Sequence, residues 1–186
     1  MRVVTLDNVR FNDACRRLAH EVLASGWQPD MVVGIRTGGA YVAEQMMSLL
    51  SGADFRYVEL HRSSTPKKGK LRRFLSYLPE WVLNSLRIME AIVLSRRRAD
   101  SHAGWCLPED LTVLGEKRIL VVDDAVDSGA TMLTVVRAMR EKNPSADVRA
   151  AAITVTTAQP LIEPDFFLFH NKTLIRFPWS MDARKV

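Results

Sequence analysis

Apolar positions along the chain switch between two periods, and the switching lays out an alternation of helices and strands. From Asn12 to Ser25 the residues Cys15, Leu18, Ala19, Val22 and Leu23 recur at helical steps, behind an Asn/Asp start and ahead of Gly26, which predicts an amphipathic helix. Met31 to Ile35 is short, apolar and rich in β-branched residues, as expected of a strand covered on both faces. After Arg36-Thr37-Gly38-Gly39, small and apolar residues return at helical intervals from Ala40 to Leu50, closing at Gly52, and Phe55 to Leu60 reads as a second strand.

The same logic resumes at Arg118, which precedes the buried-strand run Ile119-Leu120-Val121-Val122 and the pair Asp123-Asp124. A helix from about Thr131 to Lys142, a strand from Val148 to Val155, and short strands at Phe166 to Phe169 and Leu174 to Phe177 complete the pattern. Strand-loop-helix-strand units favour a parallel sheet with right-handed crossovers, with ligands at the carboxyl ends of the strands. Arg36 to Gly39 lies at such an end. Between Ser63 and Ala103 the character differs: a Lys/Gly-rich stretch leads into a helix-like block from Pro79 to Arg98, with Val82, Leu86, Met89 and Val93 on one face. That face suits core packing, a dimer contact or a membrane surface.

The chain has 186 residues, the size of one domain, and 47% hydrophobic with 25% charged residues is ordinary for a globular protein. One domain over residues 1–186 is expected, with residues 61–110 as a helical, basic insertion. The net charge of +5 is regional: residues 61–98 hold ten basic side chains against Glu80 and Glu90, leaving 16 basic against 19 acidic elsewhere. Cys15 and Cys106 lie far apart and lack histidines at ligand spacing, so neither a zinc site nor a disulfide framework is written here, which fits a reducing cytoplasm. The first residues lack a signal-peptide apolar region, and no apolar run approaches the ~18 residues of a membrane span.

Chemistry concentrates in Ile119-Leu120-Val121-Val122-Asp123-Asp124-Ala125-Val126-Asp127-Ser128-Gly129-Ala130-Thr131. The Ser-Gly-Ala-Thr turn can aim N–H groups and two hydroxyls at a phosphate, helped by the positive end of the following helix, and Gly129 permits close approach. Adjacent carboxylates are poor anion ligands but good acceptors for vicinal sugar hydroxyls, with or without a divalent cation. A phospho-receiver domain also places paired aspartates after a strand, but the 62 residues beyond Asp124 are too few to complete it. Rossmann and P-loop glycine fingerprints are missing.

These thirteen residues resemble the 5-phosphoribosyl-1-diphosphate (PRPP) signature of the type I phosphoribosyltransferase family, with Ala125 standing where a larger aliphatic is usual. Arg36-Thr37-Gly38-Gly39 resembles the family's diphosphate loop, which often holds a non-proline cis peptide. The resemblance implies an α/β fold with a central, mainly parallel sheet flanked by helices and a small hood. It implies transfer of a phosphoribosyl group from PRPP to a nitrogenous base through an oxocarbenium-like transition state, with Mg²⁺ as cofactor. Asp123 and Asp124 would hold the ribose hydroxyls and the metal, and Asp123 to Thr131, that is Asp123, Asp124, Ala125, Val126, Asp127, Ser128, Gly129, Ala130 and Thr131, would form the PRPP site. Asp127 would exchange a proton with the base or else cap the next helix. Arg36, Thr37, Gly38 and Gly39 would receive the diphosphate, joined by Arg62 unless that residue is simply solvated.

The tail Thr173-Leu174-Ile175-Arg176-Phe177-Pro178-Trp179-Ser180-Met181-Asp182 resembles the base-binding end of xanthine, guanine and hypoxanthine phosphoribosyltransferases, which points to purine salvage and to Leu174, Ile175 and Trp179 as base contacts. Leu174 replaces the stacking aromatic, and the lysine that reads the 6-oxo group is missing around Val155-Thr156-Thr157. Trp179 is equally readable as packing. The stretch Lys67 to Arg73 suits either a loop closing over PRPP or a solvated face. Relatives commonly form homodimers. The rival readings are transfer to a non-purine nucleophile and a PRPP-sensing regulator of nucleic acid, although no nucleic-acid-binding signature is visible.

Overall fold

The computed structural model describes residues 2–60, 107–171 and 173–179. Contacts divide the chain into Met1–Leu60 with Cys106–Val186 on one hand and His61–Trp105 on the other, and every element below belongs to the first unit. The helix expected over Pro79 to Arg98, the stretch Lys67 to Arg73, and Arg62 lie outside the described residues.

Five strands form a wholly parallel sheet: β2 (Met31–Ile35), β3 (Asp54–Val58), β4 (Arg118–Val126), β5 (Asp147–Val155) and β6 (Phe166–His170), in the order β3-β2-β4-β5-β6. Helix α2 (Gly38–Met46) carries the chain from β2 outward to β3, and helix α3 (Ala130–Lys142) carries it from β4 the opposite way to β5. Two right-handed crossovers leaving in opposite directions place their helices on opposite faces of the sheet. Helix α1 (Asn8–Ala24) packs beside α2, and Leu18, Val22, Val42 and Met46 meet Val32, Leu120, Val122 and Ile153 in one buried cluster. On α3 the residues Met132, Val135, Val136 and Met139 are buried against β4 and β5. The α/β architecture expected from the alternation is therefore present.

The boundaries moved for physical reasons. Helix α1 begins four residues earlier than its apolar stripe, because Asp7 caps it by accepting the Arg10 N–H at 2.8 Å, and Phe11 is buried in its first turn. Helix α2 starts at Gly38 rather than Ala40 and ends at Met46, so both glycines of the loop are helical. Strand β4 runs through the aspartates to Val126, since its ladder with β5 continues to Val126 opposite Val155. One strand was not anticipated: β1 (Arg2–Thr5) pairs in parallel with β7 (Thr173–Arg176), a long-range pairing that four residues of sequence cannot announce.

At the amino ends of β2 and β4, Asp30 accepts hydrogen bonds from the Arg118 backbone N–H at 2.8 Å and from its guanidinium at 2.8 and 3.1 Å. Those bonds hold the Asp30 carboxyl down at about 2. This clamp fixes the pairing that later brings the two functional loops together. Burial pushes the Cys15 thiol up to about 12, which leaves it a core apolar group and not a nucleophile. Among the described residues no helix is long and apolar enough to cross a membrane.

Asn143, at the end of α3, is buried and fully used: its Oδ1 accepts the Leu114 N–H at 2.7 Å, and its Nδ2 donates to the Leu111 and Met139 carbonyls at 2.9 and 3.1 Å. Asn143→Ala removes the side-chain partner of the Leu114 N–H and of the Leu111 carbonyl, while the Met139 carbonyl keeps the Asn143 N–H at 2.9 Å. It is expected to lower stability by ~1–3 kcal/mol in urea unfolding, while the exposed control Glu141→Ala stays within ~0.5 kcal/mol.

Candidate active site

From β2 the chain turns one way and from β4 the other, so the sheet has its switch point between these two strands, where a crevice opens at their carboxyl ends. Arg36 to Gly39 leaves the end of β2 and Asp123 to Thr131 the end of β4. Both segments that the sequence singled out therefore meet in one crevice.

Their meeting requires the glycines. A Cβ built on Gly39 would stand 2.5 Å from the Val122 carbonyl oxygen and 2.7 Å from Asp123 Cα, and one built on Gly38 would collide with the Asp124 carboxylate. Backbone thus lies against backbone. The Arg36–Thr37 peptide is cis. The Arg36 N–H donates to the Val58 carbonyl at 2.8 Å, while its guanidinium pairs with Glu59 at 3.1 Å and lies over the Tyr57 ring. Thr37 makes no side-chain cap to α2, so its hydroxyl does not satisfy the first amides of that helix.

Across the crevice, Asp123 Oδ1 accepts the Asp124 N–H at 2.9 Å and Asp124 Oδ1 accepts the Ala125 N–H at 3.0 Å. Both carboxylates are half-buried. Burial pushes the Asp124 carboxyl above its ordinary range and the charge of Asp127 adds to this, whereas hydrogen bonds, the first of them with the Asp123 side chain, pull the other way. Ala125 and Val126 sit opposite Thr154 and Val155 in the ladder, and the Val126 side chain is buried.

Asp127 is exposed, and its Oδ1 accepts a hydrogen bond from the Thr156 hydroxyl at 2.5 Å. It does not cap α3; Gly129 does, at φ 77°, with no side chain to satisfy the helix amides. Around it, Ser128 Oγ accepts the Ala130 N–H at a long 3.4 Å, and the Ser128 carbonyl accepts the Leu161 N–H at 2.9 Å. Ser128, Ala130 and Thr131 are half-buried at the start of α3, a helix end of the kind that can bind an anion. The crevice thus brings together two helix starts whose N-cap side chains make no cap bond, with a pair of carboxylates between them.

The expected base contacts separate. Leu174 is exposed on β7, but the Ile175 side chain belongs to the core cluster, leaving only its backbone for a ligand. Trp179 stacks on Phe177 at 5.1 Å, meets the Phe11 edge at 5.1 Å and lies 5.4 Å from Tyr41, and it remains 40% exposed. The sequence did not single out Thr156, Tyr57, Glu59 or Tyr41, because each acquires its neighbour only through strand pairing or helix placement. Among the described residues there is no group of three His, Cys, Asp or Glu that could hold a metal ion.

A family model described as the phosphoribosyl transferase domain matches residues 5–184. The chain belongs to that family. This phosphoribosyltransferase takes its pentose from PRPP. No curated protein matches the chain by sequence. Among solved structures it is similar to a purine phosphoribosyltransferase from Pyrococcus horikoshii Ot3, with a TM-score of 0.64, 18% identity, and 97% of this chain and 95% of that one covered. It is also similar to the Helicobacter pylori xanthine-guanine-hypoxanthine phosphoribosyltransferase, with a TM-score of 0.62, 16% identity, and 98% and 96% covered. A hypothetical Neisseria gonorrhoeae protein solved with bound ppGpp gives a TM-score of 0.62 at 17% identity, with 97% and 91% covered. At such identities the likeness is one of fold.

Proposed function

We propose that this phosphoribosyltransferase moves the phosphoribosyl group of PRPP to a ring nitrogen of a purine-type base and releases diphosphate. The observation that carries the reading is the pair of half-buried carboxylates standing between two uncapped helix starts at the sheet's switch point. The purine class draws support from the tail's resemblance and from the two similar folds whose names specify purine substrates.

In this reading the amides of Ser128 to Thr131 hold the 5′-phosphate, and those of Thr37 to Gly39 hold the diphosphate. Asp123 and Asp124 accept the ribose hydroxyls, so that C1 is aligned between leaving group and base and the developing positive charge on the ribose faces carboxylates. Asp123 and Asp124 also fit magnesium, because that ion is commonly bound by one or two carboxylates with waters and substrate phosphates filling the rest of its shell. When bound, it would neutralise charge on the departing diphosphate. Asp127, oriented by the Thr156 hydroxyl, exchanges the proton of the base nitrogen.

Two measurements test this. Incubation with labelled PRPP and a panel of bases is expected to yield purine nucleotides; transfer to non-purine acceptors alone, or none at all, removes the purine reading. Asp127→Asn is expected to lower kcat by ~10²–10⁴-fold with a nearly constant KM for PRPP, and Thr156→Val by a smaller factor. Normal kcat in Asp127→Asn would take the proton-transfer role away from that residue.

A further inference from the structure

The connection between β5 and β6 is tied to the acidic bend at three successive residues. The Thr156 N–H donates to the Val126 carbonyl at 3.0 Å, the Thr156 hydroxyl donates to the Asp127 carboxylate at 2.5 Å, and the Leu161 N–H donates to the Ser128 carbonyl at 2.9 Å. The same stretch lies close against Gly129, which is buried: a Cβ built there would stand 3.1 Å from the Ile162 nitrogen and 3.2 Å from the Leu161 nitrogen.

These bonds decide which way two peptide planes face. In a trans peptide the C=O and the N–H that follows it point in opposite directions. Drawing the Val126 carbonyl toward Thr156 therefore turns the Asp127 N–H away from the β5–β6 connection, and drawing the Ser128 carbonyl toward Leu161 does the same for the Gly129 N–H. Among the described residues that Gly129 N–H donates no hydrogen bond. It belongs to the N-cap of α3, the end of a helix that favours negative charge.

The Ser128–Gly129 plane has weak restraints of its own. Glycine accepts φ of either sign, so at Gly129, which sits at φ 77°, sterics alone do not forbid a reversed plane. The bond from Ser128 Oγ to the Ala130 N–H is long, at 3.4 Å. A reversed plane would show an anion the negative end of a carbonyl in place of an N–H.

We propose that the Leu161 main-chain N–H is a positioning group for the donor's 5′-phosphate, locking the Ser128–Gly129 peptide with its N–H turned toward the anion. This rests on the reading of Ser128 to Thr131 as the phosphate seat. Leu161 is 42% exposed and acts through its backbone, so its side chain gives the role no signature in the sequence.

The test is titration calorimetry on the full chain with magnesium, using ribose 5-phosphate and, separately, inorganic diphosphate. Leu161→Pro deletes the donor, Leu161→Ala keeps it, and replacing Leu161 by its α-hydroxy acid exchanges the N–H for an ester oxygen without adding a ring. The proline and ester variants are expected to bind ribose 5-phosphate ~10- to 100-fold more weakly, the loss of about one hydrogen bond to a charged group. Diphosphate affinity should change by less than ~2-fold in both, and Leu161→Ala should match the native protein with both ligands. Should Leu161→Pro fail to fold, the ester variant decides alone. Unchanged ribose 5-phosphate binding in the ester variant, or equal weakening of both ligands, overturns the lock and leaves the phosphate seat standing. A native protein that binds diphosphate but not ribose 5-phosphate defeats the seat itself, and the lock with it.

Discussion

Asp124→Asn is expected to reduce phosphoribosyl transfer by at least ~100-fold and yet to raise the melting temperature at neutral pH. On the proposed reading, the loss follows from removing a carboxylate that faces the charge developing on the ribose. The gain follows from burial, which raises the Asp124 carboxyl above its ordinary value of 3.8. The folded protein then binds more protons than the unfolded chain between the two values, so stability falls as pH rises through that window. Below the ordinary value the penalty is absent, and above the folded one it is present in full. Asparagine keeps the oxygen that accepts the Ala125 N–H and discards the charge. Calorimetric scans from acidic to neutral pH should therefore show the variant level with the native protein at the acid end and above it at neutral pH, by ~2–4 °C per kcal/mol relieved. A variant that is equally active, or less stable at neutral pH, would contradict the site and the electrostatics respectively.

Gly39→Ala is expected to be the most damaging single-methyl change in the crevice. Helix propensity alone would favour alanine by about 1 kcal/mol. Against that, the new Cβ would lie 2.5 and 2.7 Å from main-chain atoms of Val122 and Asp123, which cannot swing aside. Overpacking of this kind costs ~1–3 kcal/mol or more, and relief requires the start of α2 to move off β4, which parts the diphosphate amides from the carboxylates. A melting temperature lower by ~2–10 °C, with a raised KM for PRPP, is the expected result. Gly52→Ala serves as the control, since a Cβ there has only the Gln28 side chain near it, at 3.7 Å. Equal behaviour of the two variants would refute the close approach of α2 to β4.

What could be read from the linear chain was what local chemistry encodes. Met31 to Ile35 and the Ile119 to Val122 run declared themselves as strands because β-branched residues without polar interruption suit a sheet covered on both faces. The acidic bend declared itself because carboxylates, glycine and hydroxyls follow one another in a single stretch. Asp127 kept two readings open in the sequence, proton exchange or helix capping. Its capping role falls away only when Gly129 occupies the cap and Thr156, 29 residues distant, holds the carboxylate. Trp179 reads from the sequence as substrate contact or packing, and the structure adds ring contacts to Phe11, Phe177 and Tyr41 while leaving the residue 40% exposed, so both readings stand. Strand β1 was invisible for the same reason, since four residues become a strand only through a partner at the far side of the chain.

Neighbouring strands β2 and β4 are joined by a connection running from Arg36 to Lys117. The entropy of closing a long connection grows only logarithmically, so doubling its length costs roughly 0.6 kcal/mol. The register of the two strands is therefore set by the Asp30–Arg118 clamp and not by the length of chain between them. The consequence is slower folding, because the two sides of the crevice are far apart along the chain before they become neighbours.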